Sequence, residues 1–83
     1  MDNTELVILL GQLAAATKQM GAGLDAVDRG LGWTHFNAAK QKSQGILRRL
    51  PSSVSAQFPT ASLTLHTWSQ YRQVALKLKK QYQ

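Results

Sequence analysis

Cysteine is absent from the 83 residues, which excludes disulfides, thiolate metal sites and cysteine catalysis. Acidic residues are scarce, with only four Asp and Glu. Histidine occurs only at positions 35 and 66, and neither has a third ligand candidate beside it in the sequence. Metal sites need a cluster of such ligands, so we expect no metal site and no cofactor. Because few groups could act as catalytic acid, catalytic base or nucleophile, we expect a binding protein and no enzyme.

Basic residues, by contrast, are abundant. Ten Lys and Arg give a net charge of +6 and a pI near 10.2. All four acids precede Arg29, whereas nine of the ten bases lie from Arg29 onward. Such a charge attracts nucleic acid, acidic protein surfaces or anionic lipid, although many small basic proteins bind no polyanion.

Long apolar runs are also missing. The run Leu6–Leu10 is interrupted by Gly11 and Gln12 and falls well short of the ~20 apolar residues that a membrane span needs. Asp2 and Glu5 stand where a secretory signal would be basic. We therefore expect a cytoplasmic, soluble protein with no membrane association, and the length predicts a single helical domain over residues 1–83.

The first helix is predicted to begin at a cap among Asp2, Asn3 and Thr4, and to end near Met20 because Gly21–Gly23 follows. A short helix of two turns at most is expected within Leu24–Gly32. Helical spacing gives the first helix one apolar stripe, made of Leu6, Leu10, Leu13, Thr17 and Met20.

Additional apolar residues make the start of this helix apolar on nearly every side, so it needs cover on more than one face. We interpret this as a core helix that also mediates a homodimer. The alternative is insertion into the groove of a partner protein. Either contact is assigned to Leu6, Val7, Ile8, Leu9, Leu10 and Leu13.

The stretch from Trp33 to Leu50 has the pattern of an amphipathic helix, capped by Thr34 and ended by Pro51. Its apolar arc, about 140° wide, contains Trp33, Phe36, Ala39, Ser43, Ile46, Leu47 and Leu50. The opposite side is polar and basic, with Asn37, Gln41, Lys42, Arg48 and Arg49 across from the arc and His35 and Lys40 at its edges.

After Pro51, the segment Ser52–Phe58 is predicted to be a connector with a single turn, in which Val54 and Phe58 touch the core. Thr60 is the expected cap of the last helix. The packing stripe of that helix is Leu65, Trp68, Tyr71, Ala75, Leu78 and Tyr82. The sequence therefore predicts an all-α fold, a small bundle of three main helices plus one short helix that self-associates.

The sequence has an apolar residue at Val27, a second four residues later at Leu31, and then Gly32, the apolar Trp33 and Thr34. In that order, the stretch from Leu24 to Gln41 (about twenty residues) resembles the turn of the helix-turn-helix family of DNA-binding domains. The resemblance implies that the helix from Thr34 enters the major groove, where Thr34, His35, Asn37 and Lys40 reach bases or phosphates.

The sequence differs from the family's pattern at two points. Asp28 stands where the family usually has a small apolar residue. The family's packing also buries Gln41 and leaves Phe36 outward, whereas the apolar arc buries Phe36 and exposes Gln41. The burial of these two side chains therefore distinguishes the two interpretations.

We predict a small basic regulator that contacts duplex DNA mainly through phosphates. The nucleic-acid-binding residues are predicted to be Thr34, His35, Asn37, Lys40, Gln41, Lys42, Arg48 and Arg49. A wider basic face shared with Arg72, Lys77, Lys79 and Lys80 would serve the same chemistry without a sequence-reading motif. The alternative function is a helical inhibitor or adaptor, antirepressor-like or a modulator of a host factor, which occludes a partner protein.

Overall fold

The computed structural model describes all 83 residues, and the chain is all-α with no strand. Three long helices are present, α1 (Asn3–Asp28), α2 (Thr34–Arg49) and α4 (Trp68–Tyr82). The short helix α3 (Ser52–Ser55) lies in the connector between α2 and α4. The predicted class, an all-α small bundle with three main helices, is confirmed, but its short helix is α3. No helix of the chain combines the length and the hydropathy that crossing a membrane requires.

Helix α1 begins as expected and ends later than expected. Asp2 is its N-cap, and the Asp2 side chain accepts a hydrogen bond of 2.8 Å from the backbone N–H of Glu5. The helix then continues without interruption through Gly21–Gly23 to Asp28. The predicted end near Met20 and the separate short helix within Leu24–Gly32 are therefore wrong.

The glycines of this segment serve close packing. A Cβ at Gly21 would lie 2.5 Å from Cη2 of Trp68, and a Cβ at Gly23 would lie 2.6 Å from the Cα and backbone N of Phe36. Both distances are well inside van der Waals contact. Glycine at these positions lets α4 and α2 approach α1 closely, and the burial that results outweighs the weak helix propensity of two glycines.

The actual end of α1 is built around Gly30, whose φ is +78°. The N–H of Gly30 donates to the carbonyl of Val27, and the N–H of Leu31 donates to the carbonyl of Ala26, both at 2.9 Å. This pair of bonds is the Schellman arrangement, which needs a left-handed residue just after the helix. Glycine adopts that conformation without the steric cost of a Cβ.

Helix α2 buries the face that its amphipathic pattern predicts. Phe36, Ala39, Ser43 and Ile46 are buried. Trp33 departs from the prediction because it lies outside the helix and is 44% exposed, with its ring edge-to-face against Phe36 at 5.4 Å.

The two ends of α2 differ in how well the sequence predicted them. Thr34 is not the N-cap of α2. The N-cap is the preceding residue, Trp33, whose side chain makes no capping hydrogen bond. Leu50 is extended, at φ −73° and ψ 145°, so the helix does end before Pro51 as predicted.

The connector is partly as expected. Its single turn is α3, and Val54 and Phe58 are buried in the core. Helix α4, however, begins at Trp68, so Thr60 is not its cap. Leu65 is 40% exposed and lies before the helix, while Leu63 takes a place in the core at 4% exposure.

Side-chain hydrogen bonds keep residues 60–67 out of the helix. The Thr67 hydroxyl donates to the carbonyl of Ser62 at 2.6 Å and accepts from the N–H of Thr64 at 2.8 Å. Such local bonds to the backbone compete with helical geometry. Further along, the Tyr71 hydroxyl lies 2.7 Å from the carbonyl of Ala61 and 3.1 Å from that of Pro59.

Helix α1 is the central element, and α2 and α4 both run antiparallel to it. Phe36 at the start of α2 lies on Gly23, while Arg49 at its end lies in one groove with Leu9 of α1. Trp68 at the start of α4 lies on Gly21, and Lys79 lies on Gly11. The molecule is elongated, 42 × 22 × 18 Å, with one face of α1 turned away from both neighbours.

Candidate functional site

The eight residues predicted to bind nucleic acid all belong to α2. Lys40 is half-buried, and the other seven are exposed. They are therefore accessible to a ligand, but they do not form one surface, because they lie on two different flanks of the helix.

One flank of α2 faces the seam with α1. His35, Lys42 and Arg49 follow at intervals of seven residues, which places them one above another along the helix. His35 and Lys42 line a cavity with Gln19 and Ala22 of α1, and Arg49 lines a second groove with α1. We call His35, Lys42 and Arg49 the seam flank.

The other flank points away from α1. By helical spacing it contains Asn37, Lys40, Gln41 and Arg48, and Arg48 borders the connector at Ser62 and Leu63. We call these four residues the outer flank. It presents two amide groups and two cations, and no acidic residue occurs in α2. Thr34 is exposed at the start of the helix, where both flanks begin.

The packing of α2 separates the two interpretations made from the sequence. Phe36 is 4% exposed, and Gln41 is exposed. This is the phase of the amphipathic arc, and the opposite of what helix-turn-helix packing requires. In addition, α1 and α2 lie side by side as an antiparallel hairpin, whereas the helices of that motif cross at about 90–120°. The burial of these two side chains therefore follows the amphipathic arc.

The wider basic face is divided as well. Helix α4 contacts α1 at Gly11 and Gly21, so some of its basic residues lie at that seam while others face outward. Lys77 and Lys80 are exposed on α4. Arg72 and Lys79 instead lie at the seam with α1, where Lys79 covers Gly11 and Arg72 lines a groove with Lys18 and Asp25.

The surface predicted for a protein partner is largely inside the molecule. Leu6, Leu9, Leu10 and Leu13 lie in the core, at 0–5% exposure. Val7 is half-buried, and Ile8 is 54% exposed. Of the six residues, Ile8 is therefore the one that a partner or a second copy of the chain can reach fully.

The turn between α1 and α2 contributes two residues, Arg29 and Leu31, that were not predicted to bind a ligand. A cavity of about 460 Å³ lies beneath it and is lined by Arg29 and Leu31 from the turn together with His35 and Lys42. Leu31 is 63% exposed and follows Gly30, whose φ is positive. The signal in the sequence was Arg29-Gly30-Leu31, a glycine followed by an apolar residue as at a Schellman end.

No group of three or more His, Asp and Glu side chains is close enough to hold a metal ion. The surfaces offer cations, amides and small apolar side chains, which suit phosphates, carboxylates and helical partners. No protein-family model, no curated protein and no solved structure matches the chain.

Proposed function

We propose that this protein is a small cytoplasmic DNA-binding regulator of transcription that contacts duplex DNA mainly through phosphates, without a catalytic step. One observation carries the proposal. Helices α2 and α4 contain eight of the ten basic residues and no acidic residue, so their exposed surfaces are uniformly positive. A surface of one sign neutralises phosphates and releases their counterions.

Within this surface, the outer flank of α2 is the best contact. Lys40 and Arg48 are suited to phosphates, and Asn37 and Gln41 on the same flank carry amides that can pair with base edges. Phosphate contacts dominate the affinity, so we expect weak sequence preference and strong salt dependence.

The test is fluorescence anisotropy with a random-sequence DNA duplex at about 50 mM and about 200 mM salt. We expect binding at the lower salt, with an affinity that falls steeply at the higher one. The double variant Lys40→Glu/Arg48→Glu should lower affinity by about 100-fold, because each reversal removes one phosphate contact and adds a repulsion.

The matched control is Lys77→Glu/Lys80→Glu on α4, which makes the same change in net charge on a different helix. An equal loss in both double variants would show that net charge alone attracts DNA. Absence of binding at the lower salt would exclude the proposal.

The exposure of Ile8 supports a second candidate function, a protein-binding inhibitor or adaptor that occludes its partner. A large apolar side chain that is 54% exposed on a central helix is available as an anchor for a partner. The test is capture of one stoichiometric partner protein that is lost on Ile8→Asp. Circular dichroism must show that this variant keeps its helicity, and capture that is unaffected by the variant would contradict this function.

A further inference from the structure

The exposed face of α1 lacks charge along most of its length. The exposed residues between Glu5 and Lys18 that point away from both neighbouring helices are Ile8, Gln12 and Ala15, and Gln19 and Ala22 continue the same uncharged strip. We call Ile8, Gln12, Ala15, Gln19 and Ala22 the α1 ridge. The exposed faces of α2 and α4, in contrast, all carry Lys or Arg.

The ridge lies between two open seams. Ala22 borders the cavity that contains His35 and Lys42, and also the groove on the α4 side that contains Trp68 and Arg72. At the other end, Ile8 likewise borders grooves on both sides. The ridge thus lies along the middle of a long surface. Helix α2 borders this surface on one side and α4 on the other, and we call these two sides its walls.

Both walls are basic. On the α2 side stands the seam flank of His35, Lys42 and Arg49. On the α4 side, Nζ of Lys79 lies 3.7 Å from the position that a Cβ at Gly11 would take, and Nε of Arg72 is buried without a hydrogen-bond partner. The guanidinium of Arg72 is therefore not fully held by internal acceptors. Acidic groups occur only towards the two ends of the surface, at Glu5 and Asp25.

We infer that the α1 ridge docks an amphipathic helix of a partner protein that carries Asp or Glu along both flanks. The small side chains of Ala15 and Ala22 allow a partner backbone to approach closely, and Ile8 provides an apolar contact. The carboxylates of such a helix would face the cations of the two walls, which makes the two surfaces electrostatically complementary.

A second copy of this chain fits the same surface poorly. In a face-to-face pairing of two ridges, each basic wall meets a basic wall of the other copy, because both walls of the surface are positive. Like charges repel, and each copy carries a net charge of +6. Charge therefore favours an acidic helix as the occupant.

This inference rests on the second candidate function, because both require an accessible α1, and it adds the chemical class of the partner. The probe is a blocked helical peptide of about 25 residues, with Ala and Leu on one face and Glu on both flanks. A peptide with Gln in place of Glu is the charge control, and disordered polyglutamate is the control for polyanion binding. Isothermal titration and anisotropy give the affinities.

We expect the Glu peptide to bind at least about tenfold more tightly than either control. Ala15→Arg, which places a large side chain on the α1 ridge, should lower the affinity for the Glu peptide by about tenfold. Gln73→Arg on the exposed face of α4 should not. Lys42→Glu/Lys79→Glu, one residue from each wall, should lower it by about tenfold, and Lys40→Glu/Lys77→Glu by less than about twofold. Circular dichroism confirms the fold of each variant.

The inference is overturned if the Glu peptide does not bind, if polyglutamate binds as tightly, or if both charge-reversal pairs act equally. It is also overturned if sedimentation shows a dimer that Ala15→Arg dissociates, since a second copy then occupies the ridge. Stoichiometric capture of a partner that depends on Ile8, together with failure of the Glu peptide, would reject the acidic helix while leaving the second candidate function in place.

Discussion

Gly23 of α1 lies directly against the backbone of Phe36, so that a Cβ at position 23 would stand 2.6 Å from both the Cα and the backbone N of Phe36. This is the point where α2 starts its path along α1. The neighbouring contact of Gly21 with the Trp68 ring plays the same part for α4. The two helices are thus both set in place by glycines two residues apart.

Gly23→Ala should lower the free energy of unfolding by about 1–3 kcal/mol, because backbone atoms cannot move aside as a flexible side chain can. The gain in helix propensity, up to about 1 kcal/mol, offsets only part of that loss. Gly45→Ala is the matched control, since nothing lies within 4 Å of its Cβ position, and we expect it to be stabilising. Urea unfolding followed by circular dichroism measures both, and a stabilised Gly23→Ala would contradict the close contact.

Ala22→Pro tests the continuity of α1. Ala22 is exposed within an unbroken helix, so proline there removes a hydrogen bond and clashes with the preceding turn, at a cost of about 3 kcal/mol. A chain whose first helix ended near Met20 would tolerate the same proline in a loop. Ala22→Ser serves as control and should cost less than about 1 kcal/mol. Thermal unfolding that is the same for both variants would show that the helix is broken there.

Tyr71 should make stability fall at alkaline pH. Burial raises the pKa of Tyr71 above its ordinary value of 10.0. The folded state therefore keeps the phenol proton where the unfolded state has lost it, so stability is full below about pH 10 and decreases as pH rises through the folded pKa. Tyrosinate absorbance and urea unfolding across this range are the measurements.

Tyr71→Phe is the control for this effect. It should remove that part of the alkaline loss and cost about 1–2 kcal/mol at neutral pH, because the carbonyls of Pro59 and Ala61 lose a donor. An alkaline loss that persists unchanged in the variant would assign the effect to other groups.

Asp2→Ala should destabilise the start of α1. The bond from the Glu5 N–H to the Asp2 carboxylate satisfies one of the free donors of the first turn, and its loss costs about 1 kcal/mol. Asn3→Ala, one residue inside the helix, is the control and should change little. Amide hydrogen exchange in the first turn should accelerate for Asp2→Ala alone; equal rates in both variants would show that this cap contributes nothing.

Periodicity and end signals that act locally determined much of this protein from its sequence alone. The cap at Asp2, the end of α2 before Pro51 and the burial of Phe36 with exposure of Gln41 all follow from backbone chemistry and from a 3.6-residue repeat. The basic character of α2 was equally readable, because charge is a property of composition. The DNA-binding function remains a proposal.

Only the tertiary structure decided which glycines end a helix and which lie inside one. Gly21, Gly23 and Gly30 look alike in sequence, yet the first two admit Trp68 and Phe36 while Gly30 alone takes a left-handed conformation in this group. The surfaces also depend on tertiary packing. The seven-residue spacing of His35, Lys42 and Arg49 places them on one flank of α2, but only the position of α1 makes that flank part of a seam. A local pattern fixes the faces of each helix, but long-range packing chooses the partner of each face and leaves the α1 ridge uncovered.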